Sequence, residues 1–231
     1  MIYLSSTTNI PEKYQWNQFG IMFSAKYTIG GLNDALDAGA LWMMDNNEFA
    51  GGFDAKLWYS ALIKYLPYQS TCLGIPIRDK VGDALETIRL FSRYYQSVKD
   101  LGYKVAFVSQ DGITPEITPW DYFDVLFVGG SDEHKLGIEA ITMIAEAKGR
   151  GKWVHIGRVN SSKRIKEFWM ADSVDGTHLT MLKQRTNGEG RTEQLDNETN
   201  FFATSVEYCR NKKSGKLGTN GQYTIMQWEN N

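Results

Sequence analysis

WVHIGRVNSSKRIKEFWMADSVDGT, residues 153–177, reads as one complete strand–helix–strand unit. WVHIGR (153–158) and DSVDGT (172–177) are short, β-rich runs, and SSKRIKEFWM (161–170) between them is helical in pattern, with Ser161 placed to cap its N-terminus. Working outward, runs of the same kind recur at IYLSS (2–6), GIMFSA (20–25), ALWMMD (40–45), TCLGIPI (71–77), KVAFVSQ (104–110) and DVLFVGG (124–130), which makes eight in all. They are apolar on both faces rather than alternating, as expected of parallel strands covered by helices. The clearest helix is VGDALETIRLFSRYYQSVKDLG (81–102), where Leu85, Ile88, Phe91, Tyr95 and Val98 recur at three- and four-residue spacing before Gly102; another is KLGIEAITMIAEAKGRG (135–151). Eight strand–helix units predict a single-domain (β/α)8 barrel spanning residues 1–231, with a doubly wound open sheet as the alternative. The stretch after Thr186 is rich in Gly, Asn and charge and predicts basic loops (186–231) around a short helix at about 198–211.

Composition narrows the function classes. The chain has 231 residues, 42% hydrophobic and 13% aromatic, enough for a sizeable core. It contains no apolar run long enough for a membrane span, and its opening MIYLSSTTNIPEKY lacks a basic region followed by an apolar stretch, so the expectation is a cytoplasmic protein. Cys72 and Cys209 stand alone, and His134, His155 and His178 show no paired ligand spacing, so no metal site is expected. A net charge of −2 carries no global basic signature; a nucleic-acid partner would have to meet a local patch such as Lys163–Arg164–Lys166, or Lys183, Arg185 and Arg191 with Arg210, Lys212, Lys213 and Lys216.

In a barrel the loops after the strands build the site. Here the strand ends carry Asp45-Asn46-Asn47, Arg78-Asp79, Gln110-Asp111-Gly112, Gly129-Gly130 and the pair Asp172 and Asp175. Any one of these is an ordinary turn or cap residue; several at successive ends converge on one mouth. Asp172 and Asp175, three apart on a strand, point to opposite faces, so only one can enter the mouth. The aromatic residues of the N-terminal half, Trp16, Phe19, Trp42, Phe53, Trp58 and Tyr59, read chiefly as core, with stacking on a base as the alternative.

In order and spacing these landmarks resemble the tRNA-guanine transglycosylases: Asp45 to Phe49, Gln110 with Gly112, Val128 to Gly130, Ile-Gly-Arg at 156–158, and Asp172 to Asp175. PIRDKVGDALETI, FVSQDG, IGRVNSSKRI and DSVDGT are more similar still to the phage and bacterial DNA 7-deazaguanine transglycosylases (the DpdA family), over roughly residues 40–180. The resemblance implies Asp175 as nucleophile, Asp45 as general acid/base, and Asp79, Gln110, Gly129 and Gly130 as the base-binding set. Apart from the resemblance, Arg158 and Asn160, which follow the seventh strand, and Lys183 and Arg185 of the basic cluster are expected to position nucleic acid, with helix capping as the other reading of the first two. The resemblance also implies an enzyme with no cofactor that exchanges guanine in DNA for a free 7-deazaguanine such as 7-cyano-7-deazaguanine, a queuosine-related modification that protects phage DNA from restriction. A homodimer or partner protein is compatible with it.

The chain departs from the tRNA-modifying members in two ways. It lacks their C-terminal cluster of zinc-binding Cys and His, and Gly176-Thr177-His178 stands where they carry Leu-Pro-Thr-Arg. Both departures favour double-stranded DNA, with the guanine flipped out, over tRNA. The same chemistry on tRNA, and a barrel that only binds a nucleotide, remain the alternatives.

Overall fold

Each of the eight apolar runs forms a strand: β1 (Ile2–Ser5), β2 (Phe19–Ser24), β3 (Trp42–Asp45), β4 (Cys72–Pro76), β5 (Val105–Ser109), β6 (Val125–Val128), β7 (Trp153–Ile156) and β8 (Ser173–Gly176). In the computed structural model, which describes residues 1–27, 29–185 and 191–216, they lie parallel and in sequence order. β8 pairs back onto β1 through Leu4↔Asp175, which closes the barrel and excludes the open sheet. Around it run α1 (Leu32–Asp37), α2 (Glu48–Gly51), α3 (Ala55–Lys64), α4 (Ala84–Asp100), α5 (Asp132–Leu136), α6 (Ile138–Gly149), α7 (Ser162–Glu167), α8 (His178–Arg185) and α9 (Arg191–Lys213). None of these helices is long and apolar enough to cross a membrane.

Successive strand residues alternate between the barrel interior and the layer beneath the helices. Leu4, Met22, Met43, Leu73, Ala106 and Val125 fill the interior, while Tyr3, Ile21, Trp42, Ile75, Phe107, Leu126 and Val174 join the larger outer core. Gly20, in register with Leu4 and two residues before Met22, belongs to the inner set, and a Cβ there would lie 2.7 Å from Leu4 Cδ2. Of the N-terminal aromatic residues, Phe19, Trp42 and Trp58 are buried and Trp16 and Phe53 pack partly buried against the core, whereas Tyr59 on α3 is exposed.

The helices start where their caps predict. Ser161 Oγ accepts from the Arg164 N–H at the head of α7, and the Asp83 carboxylate accepts from the Glu86 N–H at the head of α4. The buried face of α4 departs from the predicted stripe: Phe91 and Val98 are buried, but so are Ala84, Thr87 and Leu90, while Leu85 is 71% exposed. Ile88 and Tyr95 also pack, partly buried, against the core, so of the predicted stripe Leu85 alone faces outward and the buried face is wider than that stripe.

The largest departure lies after α8. The helix expected at 198–211 is longer, running over residues 191–213 as α9, with Leu195, Phe202, Val206 and Cys209 packed against the core, while the loops expected at 186–190 and 217–231 lie outside the described residues. Its last turn is committed to the floor of the barrel, opposite the strand C-terminal ends. Arg210 donates to the carbonyls of Met1 and Asn17, and Lys213 donates to the Ala171 carbonyl and to the Asp172 carboxylate. These cations, expected to grip phosphate, are occupied on the wrong face for that role.

Asp172 is the clasp of that floor. It accepts from Lys148 at 2.8 Å, from Lys213 at 2.9 Å and from the Val154 N–H at 2.8 Å. Burial alone would raise its carboxyl pKa, but these donors outweigh burial and leave it below the ordinary carboxylate value. Its contribution to stability is therefore present above the unfolded pKa of about 3.9 and is lost as pH falls through the lower folded value. Replacing Asp172 with Ala is expected to cost about 1–3 kcal/mol at pH 7 in urea unfolding, and much less near pH 2. An unchanged midpoint at pH 7 would contradict this role.

Candidate active site

The inward alternation that fills the barrel with Leu and Met delivers acids at its upper end. Asp45 is the last residue of β3, level with Ser24 of β2, and Asp175 lies on β8 level with the inward Leu4. Both are partly open to the mouth. Asp172, on the other side of the chain, belongs to the floor.

The two carboxylates sit in different electrostatic surroundings. Burial first, and then the charge of Asp175, push the Asp45 carboxyl up to about 6, against backbone N–H bonds from Asn47 and Asn46; Asp79 adds to the rise. Asp175 is held by donors through one oxygen: its Oδ1 accepts from His155 Nε2 at 3.0 Å and from the Arg158 N–H at 3.3 Å. Oδ2 has no hydrogen-bond partner among the described residues. A carboxyl group of raised proton affinity thus stands near an Asp175 side chain with one oxygen held by two donors and the other without a hydrogen-bond partner among the described residues.

Asp79, Gln110 and the glycines form a second group. Asp79, beyond the end of β4, is buried; its Oδ1 accepts from Asn46 Nδ2 at 2.7 Å and its Oδ2 from Gln110 Nε2 at 2.5 Å. Burial raises its carboxyl pKa against those two bonds. Asn46 also donates to the Ile77 carbonyl, and Gln110 Oε1 accepts from the Gly82 N–H, so β3, β4 and β5 are tied together at the mouth. A Cβ on Gly129 would lie 2.9 Å from Gln110 Nε2, which explains a glycine there. Gly130 has φ +79° and gives its carbonyl to the Arg158 guanidinium at 2.5 Å. Asp111, next to Gln110, turns away and holds the Ser131 hydroxyl and N–H.

Arg158 follows β7 and has φ +60°, a conformation unusual for a residue with a side chain. Its guanidinium lies 4.2 Å from the ring centroid of Phe49 on α2, a side chain 64% exposed. Because β3 and β7 stand on opposite sides of the ring of strands, this cation–π contact reaches across the mouth. Beside it, Asp132, Arg158, Asn160, Ser161 and Arg164 line a cavity of about 380 Å³. Asp132, carried down to about 2 by hydrogen bonds from Lys135 and Arg164, balances the arginines. Asn160 is engaged locally, its Oδ1 accepting from the N–H groups of Thr177 and His178 at the head of α8. The side chains of Lys183 and Arg185 lie outside the described residues. A larger groove of about 560 Å³, between the segment after β2 and α3, contains none of the strand-end acids.

Sequence reading therefore identified Asp45, Asp79, Gln110, Gly129, Gly130, Arg158 and Asp175, which the fold brings to one face. It passed over His155 and Ser173, inward partners of Asp175, and Asn46, the brace of Asp79. The available signal was a polar residue two positions from an inward strand residue, since Ser173 and Asp175 share a face by alternation and His155 is level with Ser173.

No family model matches the chain, and no curated protein matches it. Among solved structures it is similar to a putative fructose-1,6-biphosphate aldolase from Coccidioides immitis, at 14% identity over 93% of this chain and 92% of that one, with a TM-score of 0.55. It is also similar to a ligand-free tryptophan synthase from M. tuberculosis carrying a TrpA mutation, at 13% identity over 81% of this chain and 93% of that one, with a TM-score of 0.47. At such identities the likeness is one of fold: the chain is a (β/α)8 barrel.

The raised pKa of Asp45 has a measurable consequence. An acid whose folded pKa lies above its unfolded value costs stability as pH rises from about 4 to about 6, and the full cost persists above that window. Asp45→Asn is therefore expected to stabilise the fold by about 1–3 kcal/mol at pH 7.5 and by little at pH 4, read as the difference between urea midpoints. Equal effects at the two pH values would contradict the assignment.

Proposed function

We propose that the chain is a base-exchanging transglycosylase that replaces guanine in DNA by a free 7-deazaguanine, such as 7-cyano-7-deazaguanine. The observation that carries this reading is the unequal pair: Asp45, with a carboxyl near pKa 6, beside Asp175, with Oδ1 held by two donors and Oδ2 free. Exchange of a base at a sugar needs these two groups in these two states.

In the first displacement Asp175 Oδ2 attacks C1′, and the glycosidic C–N bond breaks with its electron pair passing to the base. Asp45 delivers its proton to the departing guanine, which leaves neutral, and the sugar is held as an ester of Asp175. In the second, Asp45, now ionised, takes the ring N–H proton of the incoming deazaguanine, whose nitrogen attacks C1′ and releases Asp175. Two inversions retain configuration, and no redox step or nucleotide energy source is consumed.

Asp79 and Gln110 suit the guanine edge. A carboxylate can accept the ring N–H and exocyclic amine, and a Gln amide or a backbone N–H at Gly129 or Gly130 can meet the carbonyl. Asp79 and Gln110 are hydrogen-bonded to each other, so the base inserts by exchanging that bond for its own. Arg158 and Phe49 offer a cation and an exposed ring where the flipped nucleotide enters. Gly176-Thr177-His178, standing where the tRNA-modifying members carry Leu-Pro-Thr-Arg, supports DNA as the polymer.

Exchange of radiolabelled guanine into duplex DNA by the purified chain, with tRNA in parallel, tests the reading. The expected result is incorporation into DNA that vanishes in Asp175→Ala and falls at least about 100-fold in Asp45→Asn. Incorporation into tRNA alone would overturn the choice of polymer. No incorporation into either, with deazaguanines also tried, would overturn the activity.

A further inference from the structure

Behind Asp175 lies a chain of side chains that the proposed chemistry does not yet use. Trp153 Nε1 is 2.8 Å from Ser173 Oγ, Ser173 Oγ is 2.8 Å from His155 Nδ1, and His155 Nε2 is 3.0 Å from Asp175 Oδ1. Their order follows from alternation: Trp153 and His155 on β7, and Ser173 and Asp175 on β8, all face the barrel axis, with His155 in register with Ser173. His155 is fully buried and packs against the Phe127 ring at 4.5 Å between centroids. A Cβ on Gly157 would lie 2.8 Å from that ring, so the glycine leaves room for Phe127 against the imidazole.

The hydrogen count gives this chain a direction. An indole N–H can only donate, so Ser173 Oγ accepts from Trp153. Among the described residues the only other partner of that hydroxyl is His155 Nδ1, so the serine hydrogen is donated there. A nitrogen that accepts carries no hydrogen, so the imidazole hydrogen sits on Nε2 and is donated to Asp175 Oδ1. The Arg158 N–H adds a second donor to the same oxygen.

We propose that His155 is the positioning residue of the nucleophile, its tautomer set by Ser173 and Trp153. The relay ties Oδ1 and rotates the carboxylate so that Oδ2 is the oxygen offered to the sugar. This rests on Asp175 being the reacting group, as proposed above. It adds that a buried, non-reacting histidine selects which carboxylate oxygen reacts, much as outer partners orient the ligands of a metal.

Two measurements test it. The first does not depend on activity: long-range 1H–15N spectra of the full chain labelled with 15N-histidine at pH 7.5, with the His155 signals identified by their loss in His155→Gln. The expected ring is neutral with its hydrogen on Nε2, and Ser173→Ala is expected to add a second, Nδ1-protonated form. A wild-type ring carrying hydrogen on Nδ1, or on both nitrogens, overturns the relay, as does a Ser173→Ala spectrum identical to wild type. The second is kinetic: base exchange by His155→Leu is expected to lose about 10- to 100-fold in kcat with KM for the free base little changed. His155→Gln, whose amide can still donate to Asp175, should recover part of that loss. Full kcat in His155→Leu overturns the positioning role; if that variant does not fold, Ser173→Ala takes its place, with a smaller loss expected and full kcat again overturning it. The expected tautomer in a wild type that exchanges no base supports the relay and removes only the transglycosylase reading.

Discussion

Closure of a parallel barrel forces every second residue of every strand into one narrow interior, and the rest of this molecule follows from how the sequence fills it. Leu4, Met22, Met43, Leu73, Ala106 and Val125 pack a dry inner core. On β7 and β8 the inward positions are polar where the other strands place Leu and Met: His155 and Ser173 lie level with each other, Asp175 lies one inward step above Ser173, and Asp45 ends β3. A carboxylate introduced at that depth is neither fully solvated nor fully buried, and its proton affinity is set by neighbours rather than by water. The floor is sealed separately by α9 and the Asp172 clasp, so the apolar core lies between two polar ends with different tasks.

The mouth keeps its acids apart in character. Asp45 is pushed towards its protonated form by burial and by Asp175, whereas Asp79 has its two oxygens hydrogen-bonded to Asn46 and Gln110. Asp175 is anchored on one side only. Three carboxylates in one mouth would repel if all were charged and free. Burial and the charge of Asp175 raise the Asp45 carboxyl to about 6, and Asn46 and Gln110 hold both oxygens of Asp79, which eases that repulsion.

Much of this could be read in the sequence, for physical reasons that differ by element. The strands were legible because short runs apolar on both faces, such as KVAFVSQ and DVLFVGG, have no other comfortable place than a sheet covered on both sides. Asp45, Gln110 and Asp175 were legible because they end such runs. α9 was misjudged because TEQLDNETN is so polar, although Leu195, Phe202, Val206 and Cys209 recur at helical spacing and their burial decides the outcome. The destinations of Arg210 and Lys213 depend on where α9 docks, a tertiary fact with no local signature. His155 escaped notice because a lone histidine on a strand reads as a core residue until the register of β7 and β8 places it beside Asp175.

A (β/α)8 barrel is compatible with many chemistries, so the account stands on the mouth and not on the fold. Its central claim is that Asp175 becomes covalently attached to a sugar. The most direct test is intact-protein and peptide mass spectrometry after the chain is incubated with a guanine-containing DNA duplex and quenched in acid. The account predicts a DNA adduct on the peptide carrying Asp175, absent in Asp175→Ala and discharged when a free deazaguanine is added before the quench. An unmodified Asp175 under conditions in which bases are exchanged would contradict it.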